Sequence, residues 1–155
     1  MPLIVRWPGV VKPATRVQQM VQNIDYAPTF MEMAGLQAPA SVQGRSLLPL
    51  LRGQSPPDWR HSIYYHYYDP GHGVQKHYGL RTERYTLACF YPVNEWELFD
   101  LEKDPQQLHS IYDDPACSKT VADLKAELSR LRALYQDTEE TGSSQARGAG
   151  KKKRP

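Results

Sequence analysis

The sequence predicts an α+β fold: a four-stranded antiparallel sheet packed on one long C-terminal helix, with a strand and a helix ahead of it. Three observations predict this. Between residues 62 and 100, apolar and aromatic side chains alternate with polar ones in four short runs. Between residues 121 and 135 the apolar side chains recur at steps of three and four. Thirteen prolines and ten glycines among 155 residues require frequent turns, which argues against a helical bundle.

At the start of the chain, Pro2-Leu3-Ile4-Val5-Arg6-Trp7 is an apolar run closed by Pro8-Gly9 and reads as a buried strand. A buried strand needs neighbours on both sides, so the run implies a chain that begins in mid-fold. Asn23-Ile24-Asp25-Tyr26-Ala27-Pro28 opens a helix reaching about Ala34, with Asn23 or Asp25 as its cap and Gly35 as its stop. Ile24, Ala27, Met31 and Ala34 share one side of that helix and are expected to be buried. Residues 36–60 read as loop around the apolar knot Leu47-Leu48-Pro49-Leu50-Leu51.

The four predicted strands are Ser62–Tyr68, His77–Arg81, Tyr85–Tyr91 and Glu95–Asp100. Thr82-Glu83-Arg84 is short enough to join the second and third as a hairpin, and the short connections imply antiparallel pairing. Alternation puts Ile63, Tyr65 and Tyr67 on one face of the first strand and Tyr64, His66 and Tyr68 on the other. Asp114 and Pro115 start the long helix, whose stripe is Val121, Leu124, Leu128, Leu131 and Tyr135. From residue 138 on the composition is mainly Thr, Gly, Ser, Gln and Lys, which reads as a disordered basic tail.

Charge narrows the function classes. The net charge of +2 conceals an acidic body: residues 1–141 hold 14 basic and 17 acidic groups, a balance of −3, while the last 14 residues hold five basic groups and no acid. Nucleic-acid binding by the folded part is therefore disfavoured, and Lys151-Lys152-Lys153-Arg154 reads as a solvated chain end. No run approaches the roughly eighteen apolar residues a membrane-spanning helix needs. No basic segment, apolar core and cleavage site form a signal peptide. Cys89 and Cys117 make no paired motif and say nothing about redox compartment.

A series of short motifs resembles the C-terminal third of a type I, formylglycine-dependent sulfatase of the alkaline-phosphatase-like superfamily. They are Pro2-Leu3-Ile4-Val5-Arg6-Trp7-Pro8-Gly9, Asn23-Ile24-Asp25-Tyr26-Ala27-Pro28-Thr29 and Gln43-Gly44-Arg45-Ser46-Leu47-Leu48-Pro49-Leu50-Leu51, then His77-Tyr78-Gly79-Leu80-Arg81-Thr82 and Glu97-Leu98-Phe99-Asp100-Leu101. The aromatic stretch Tyr64-Tyr65-His66-Tyr67-Tyr68 before His77 most resembles bacterial N-acetylglucosamine-6-sulfatase-like members. The resemblance implies three parts: residues 1–60 as the end of an α/β catalytic domain, 61–137 as the sulfatase C-terminal subdomain, and 138–155 as the tail. One departure falls in a turn, where Gln107 and Ser110 in Asp104-Pro105-Gln106-Gln107-Leu108-His109-Ser110 replace the family's Glu and Asn. That turn is expected to be structural.

The resemblance also implies what the chain lacks. Such sulfatases carry formylglycine, made from a Cys or Ser in a Cys-x-Pro-x-Arg motif, beside a calcium ion. Neither Cys89-Phe90-Tyr91-Pro92-Val93 nor Cys117-Ser118-Lys119-Thr120-Val121 fits. The expectation is that no catalytic and no metal-binding residue lies in this chain. Calcium and formylglycine belong to an intact parent, which hydrolyses sulfate esters of a glycan, is exported, and supplies the missing N-terminal catalytic domain as this chain's partner. Alone, the chain is expected to be silent.

His77, Arg81 and His72 are the candidate substrate-binding residues, placed at the pocket rim by the resemblance, with a sulfated glycan as partner. A zinc reading of His66, His72 and His77 fails, because no short-range Cys or His pair accompanies them. The tyrosines allow a further alternative, a free-standing carbohydrate-binding module, although core packing accounts for the half that faces the helix. A phosphonate or phosphate monoester hydrolase of the same superfamily is the other alternative.

Overall fold

A computed structural model describes residues 3–69, 71 and 73–137. The chain forms two units, one ending at Ile63 and the other beginning at Tyr64.

The first unit is organised around one buried carboxylate. A short 3-10 turn, Asn23–Asp25, leads into helix α1 (Tyr26–Met33), which stops where Gly35 adopts φ 72°. Asp25, fully buried, does not serve as a simple local cap. Its carboxylate accepts hydrogen bonds from the backbone N–H of Gln22 and of Arg45, each at 2.8 Å, and is gripped by both terminal nitrogens of Arg60. Four donors on one carboxylate bring residues 22, 45 and 60 together. Gly44 passes so close to this turn that a Cβ would lie 1.9 Å from the Ile24 carbonyl oxygen.

The buried side of α1 differs from the expected one. Pro28 and Thr29 are buried, whereas Ala27 and Ala34 are exposed and Ile24 and Met31 are only half-buried. The reason is polar. The Thr29 hydroxyl donates to the Asp25 carbonyl at 2.6 Å and accepts from the Leu47 N–H at 2.8 Å, so it anchors the helix to the next segment. There Leu48–Leu51 form the single turn α2, and Leu47 and Leu50 pack with Trp59. The Trp59 indole N–H donates to the Met20 carbonyl, and the guanidinium groups of Arg45 and Arg60 both lie over its ring, 4.6 and 5.3 Å from the centroid.

Residues 3–7 are not a strand, contrary to expectation, and Ile4 is 88% exposed. An extended apolar run becomes a strand only when another strand pairs with it, and no described residue does so here.

The second unit is the predicted sheet and helix. Strands β1 (Ser62–Tyr67), β2 (His77–Thr82), β3 (Tyr85–Phe90) and β4 (Glu95–Asp100) lie side by side in chain order. Each lies within one residue of its expected bounds. The β2–β3 turn is held by the Thr82 hydroxyl, which accepts from the N–H of Arg84 and Tyr85. Leu80 pairs with Leu87 and Leu87 with Leu98, so three fully buried leucines form one rung across the sheet.

Helix α3 (Ser118–Leu134) covers that rung with Leu124, Leu128 and Leu131, while Val121 and Tyr135 pack at the two ends of the stripe. Asp114 caps the 3-10 turn that precedes it by accepting from the Ala116 N–H at 2.9 Å. The turn with the substituted Gln107 and Ser110 is structural, as expected. Asp104 accepts from the N–H groups of Leu108 and His109, and the Ser110 hydroxyl accepts from the Leu98 N–H. The tail expected from residue 138 lies outside the described residues.

Candidate functional site

The helix covers one face of the sheet; on the other, Gly79, Thr86, Ala88 and Phe99 are buried, and Arg81 and Glu95 are exposed. Register places His77, Gly79 and Arg81 of β2, Thr86, Ala88 and Phe90 of β3, and Glu95, Glu97 and Phe99 of β4 on that face, opposite the leucine rung. His77 and Arg81, two of the three candidate residues, thus share one strand and one face, with Gly79 between them. Arg81 is exposed. His72, the third, lies outside the described residues.

His77 is held by rings. Tyr67 stacks on it at 5.4 Å between centroids, Phe90 lies at 5.2 Å, and Tyr65 meets it edge-on at 6.0 Å. Its Nδ1 lies 2.8 Å from the Gln75 carbonyl oxygen. A carbonyl oxygen only accepts, so Nδ1 donates to it and Nε2 is the ring nitrogen left for another partner. The arrangement presents an oriented imidazole and, four residues further along the same strand, an exposed guanidinium, groups suited to a sugar hydroxyl and an anionic ester.

Gly79 makes this geometry possible. A Cβ there would lie 2.3 Å from the Leu87 carbonyl oxygen and 2.5 Å from the Tyr65 hydroxyl. The Tyr65 ring therefore crosses β2 where the side chain is missing. Burial pushes its hydroxyl up to about 12, Glu97 adds to this and Arg81 opposes it. Gly79→Ala is expected to destabilise the chain by about 1–3 kcal/mol, the usual penalty for overpacking, and to displace Tyr65 from His77. Urea melts, with the ring-current shifts of His77 read in parallel, check both parts.

The sequence reading placed His66 as one polar member of an aromatic strand face. It is more than that. On the helix-facing side of β1 the imidazole, 3% exposed, stacks on Tyr68 and meets Tyr64, Tyr78 and Tyr91 edge-on. Its Nδ1 donates to the Asp137 carboxylate at 2.5 Å, and the Tyr64 hydroxyl donates to the same oxygen. Asp137 follows Gln136, whose φ of 54° turns the chain back, and its N–H closes the end of α3 on the Arg132 carbonyl. Seventy-one residues separate the partners, so no local spacing could reveal the pair.

Burial pushes the Asp137 carboxyl up, but the hydrogen bonds from Tyr64 and His66 outweigh burial and hold it below the usual carboxylate value of 3.8. Arg84 holds Asp100 below that value, and the N–H groups of His109 and Leu108 hold Asp104 below it. A lowered folded-state value means the unfolded chain takes up protons first as pH falls. Stability is therefore fully present above the unfolded value and is lost as pH drops through the lowered ones. Urea midpoints are expected to fall steeply only below about pH 4. Asp137→Asn should flatten part of that fall.

The cofactor expectation meets the same residues. Cys89 is buried in the core under α3, and among the described residues no three His, Cys, Asp or Glu side chains converge on a metal position. The described residues do not fit formylglycine or calcium.

Four antiparallel strands under one C-terminal helix, with motifs from Asn23 to Asp100 in the expected order, define the C-terminal region of a sulfatase of the alkaline-phosphatase-like superfamily. The chain belongs to the family described as N-sulphoglucosamine sulphohydrolase, C-terminal, which matches residues 1–134.

An N-acetylglucosamine-6-O-sulfatase of Bacteroides thetaiotaomicron is 38% identical over 144 residues, covering 90% of this chain and 26% of that protein. A protein structure solved in complex with its substrate D-glucosamine-2-N,6-O-disulfate superposes with a TM-score of 0.84 at 35% identity, over 88% of this chain and 28% of that one. A phosphonate monoester hydrolase of Silicibacter pomeroyi superposes with a TM-score of 0.72 at 30% identity, over 89% of this chain and 29% of that one. The chain thus spans under a third of the length of each of these relatives.

Proposed function

We propose that this region acts within a longer polypeptide that hydrolyses sulfate esters on a sulfated amino sugar, and that the second face of its sheet flanks the sugar. The observation that carries the reading is the 35% identity to the protein solved with D-glucosamine-2-N,6-O-disulfate, which extends over 88% of this chain. In this reading His77 Nε2 accepts from a sugar hydroxyl, Arg81 faces the ester anion, and His72 is the third substrate-binding residue. The nucleophile and the calcium ion belong to the remainder of the longer polypeptide, which is this region's protein partner. A cation, an activated nucleophile and an acid for the leaving alcohol are the needs of sulfate-ester cleavage. This region supplies selection by contacts to the leaving sugar.

A second reading has one observation in its favour, the 30% identity to the phosphonate monoester hydrolase. The two divide on one experiment. The longer polypeptide is incubated with 6-O-sulfated N-acetylglucosamine and, separately, with a phenyl phosphonate monoester, and inorganic sulfate and phenol are measured. Sulfate release faster than phenol release is expected, with none from the 155-residue chain alone. Phenol release with the sulfate ester untouched overturns the sulfatase reading in favour of the second.

A further inference from the structure

Strand β1 is the edge of its sheet, paired on one side to β2. Edge strands hold their side chains less firmly than inner ones, because one row of backbone groups lacks a strand partner. Yet β1 carries Tyr65 and Tyr67, two of the three rings that fix His77. Something besides the ladder must steady it.

The opposite face of the same strand shows what does so. Tyr64 and His66 are tied to Asp137, Tyr64 also stacks on Tyr135 at 6.1 Å, and His66 Nε2 lies 3.4 Å from the Tyr91 hydroxyl. Every even-numbered side chain from 64 to 68 is thus engaged by the end of α3 or by its aromatic neighbours. Side chains of one strand share a backbone, so restraining 64, 66 and 68 restrains 65 and 67 between them.

We infer that His66 and Asp137 are positioning residues for the sugar-binding face: the clasp they make on one side of β1 sets Tyr65 and Tyr67 on the other, and through them the orientation of His77. The inference rests on the reading of His77 as a sugar contact, but its physical content is the coupling between the two faces. Arg132 adds a second tie from α3, its guanidinium lying 4.2 Å from the centroid of the Tyr78 ring beside His77 on β2.

The test reads His77 directly and needs no substrate. In the 155-residue chain labelled with ¹⁵N-histidine, the native His77 ring is expected to show its proton on Nδ1, fixed by the Gln75 carbonyl. Asp137→Ala is expected to shift that ring toward the Nε2-protonated form that an unconstrained histidine side chain prefers, with loss of its ring-current shifts. Leu131→Ala, which loosens α3 in the core, is the control: it should lower the melting temperature and leave the His77 signals in place.

If Asp137→Ala does not fold, Asp137→Asn gives the same readout with the clasp weakened but an acceptor retained. An unmoved His77 ring in the folded Asp137 variant overturns the inference. So does an equal shift in Leu131→Ala, which would mean that any loosening of α3 disturbs the site. Neither result depends on whether a sulfated sugar binds at His77, so this inference and the proposed function fail separately.

Discussion

Replacing Arg60 with methionine is expected to destabilise the chain by about 3–5 kcal/mol, because it strands a buried carboxylate without its counter-charge. Asp25 is fully buried, and the Arg60 guanidinium grips both of its oxygens. Removing the guanidinium leaves the carboxylate with two backbone N–H groups, too few to replace water. Lysine at the same position should recover little, since an ammonium cannot make the two parallel bonds. Replacing both partners, as Asp25→Leu with Arg60→Met, should not restore stability either. It would leave the Gln22 and Arg45 N–H groups without the acceptor they now use. Urea denaturation followed by tryptophan fluorescence in a Trp7→Phe, Trp96→Phe background, which leaves Trp59 as the reporter, measures the loss, and a cost below about 1 kcal/mol for Arg60→Met would place the pair among ordinary surface ion pairs.

Leu87→Ala is the second large effect, about 2–5 kcal/mol. Leu87 sits between Leu80 and Leu98 in the rung under α3, and all three are fully buried. Strands on both sides hold the backbone in place, so the vacated volume cannot collapse easily and both burial and packing contacts are lost. Leu134→Ala is the matched comparison: the residue ends the same helix but is 58% exposed, and its replacement should stay within about 0.5 kcal/mol of neutral. Equal losses at the two positions would mean that the rung is not the centre of this unit.

The parts of the fold legible in the sequence are those set by local periodicity. The four strands and α3 each bury one face against a partner inside the chain, so period two and period three-to-four survive into the structure. The stretch at residues 3–7 failed for the same reason in reverse. Leu3, Ile4 and Val5 have the composition of a buried strand, but no described residue pairs with them. On α1, apolar spacing pointed to Ile24, Ala27, Met31 and Ala34, while the buried side is set by two polar groups, Asp25 and Thr29, whose partners lie beyond the helix.

The site divides in the same way. His77 and Arg81 were chosen through the family resemblance; that they share one face of β2 follows from strand alternation. The rings around His77 come from two other strands, and the clasp of His66 on Asp137 joins the two ends of the second unit, so neither leaves a mark in local sequence. Gly79 could have been suspected: a glycine inside a strand pattern signals close approach of another group, here the Tyr65 ring.

The central claim is that His77, on the second face of the sheet, meets the sugar and not the reacting sulfate. Steady-state kinetics of His77→Ala in the longer polypeptide test it most directly, with 6-O-sulfated N-acetylglucosamine and a small aryl sulfate compared side by side. Loss of a hydrogen bond to the sugar should lower kcat/KM for the sulfated sugar at least tenfold, or about 1.4 kcal/mol, and leave the aryl ester within twofold. Equal losses on both substrates, or no loss on either, would contradict the claim and remove this face from the sugar site.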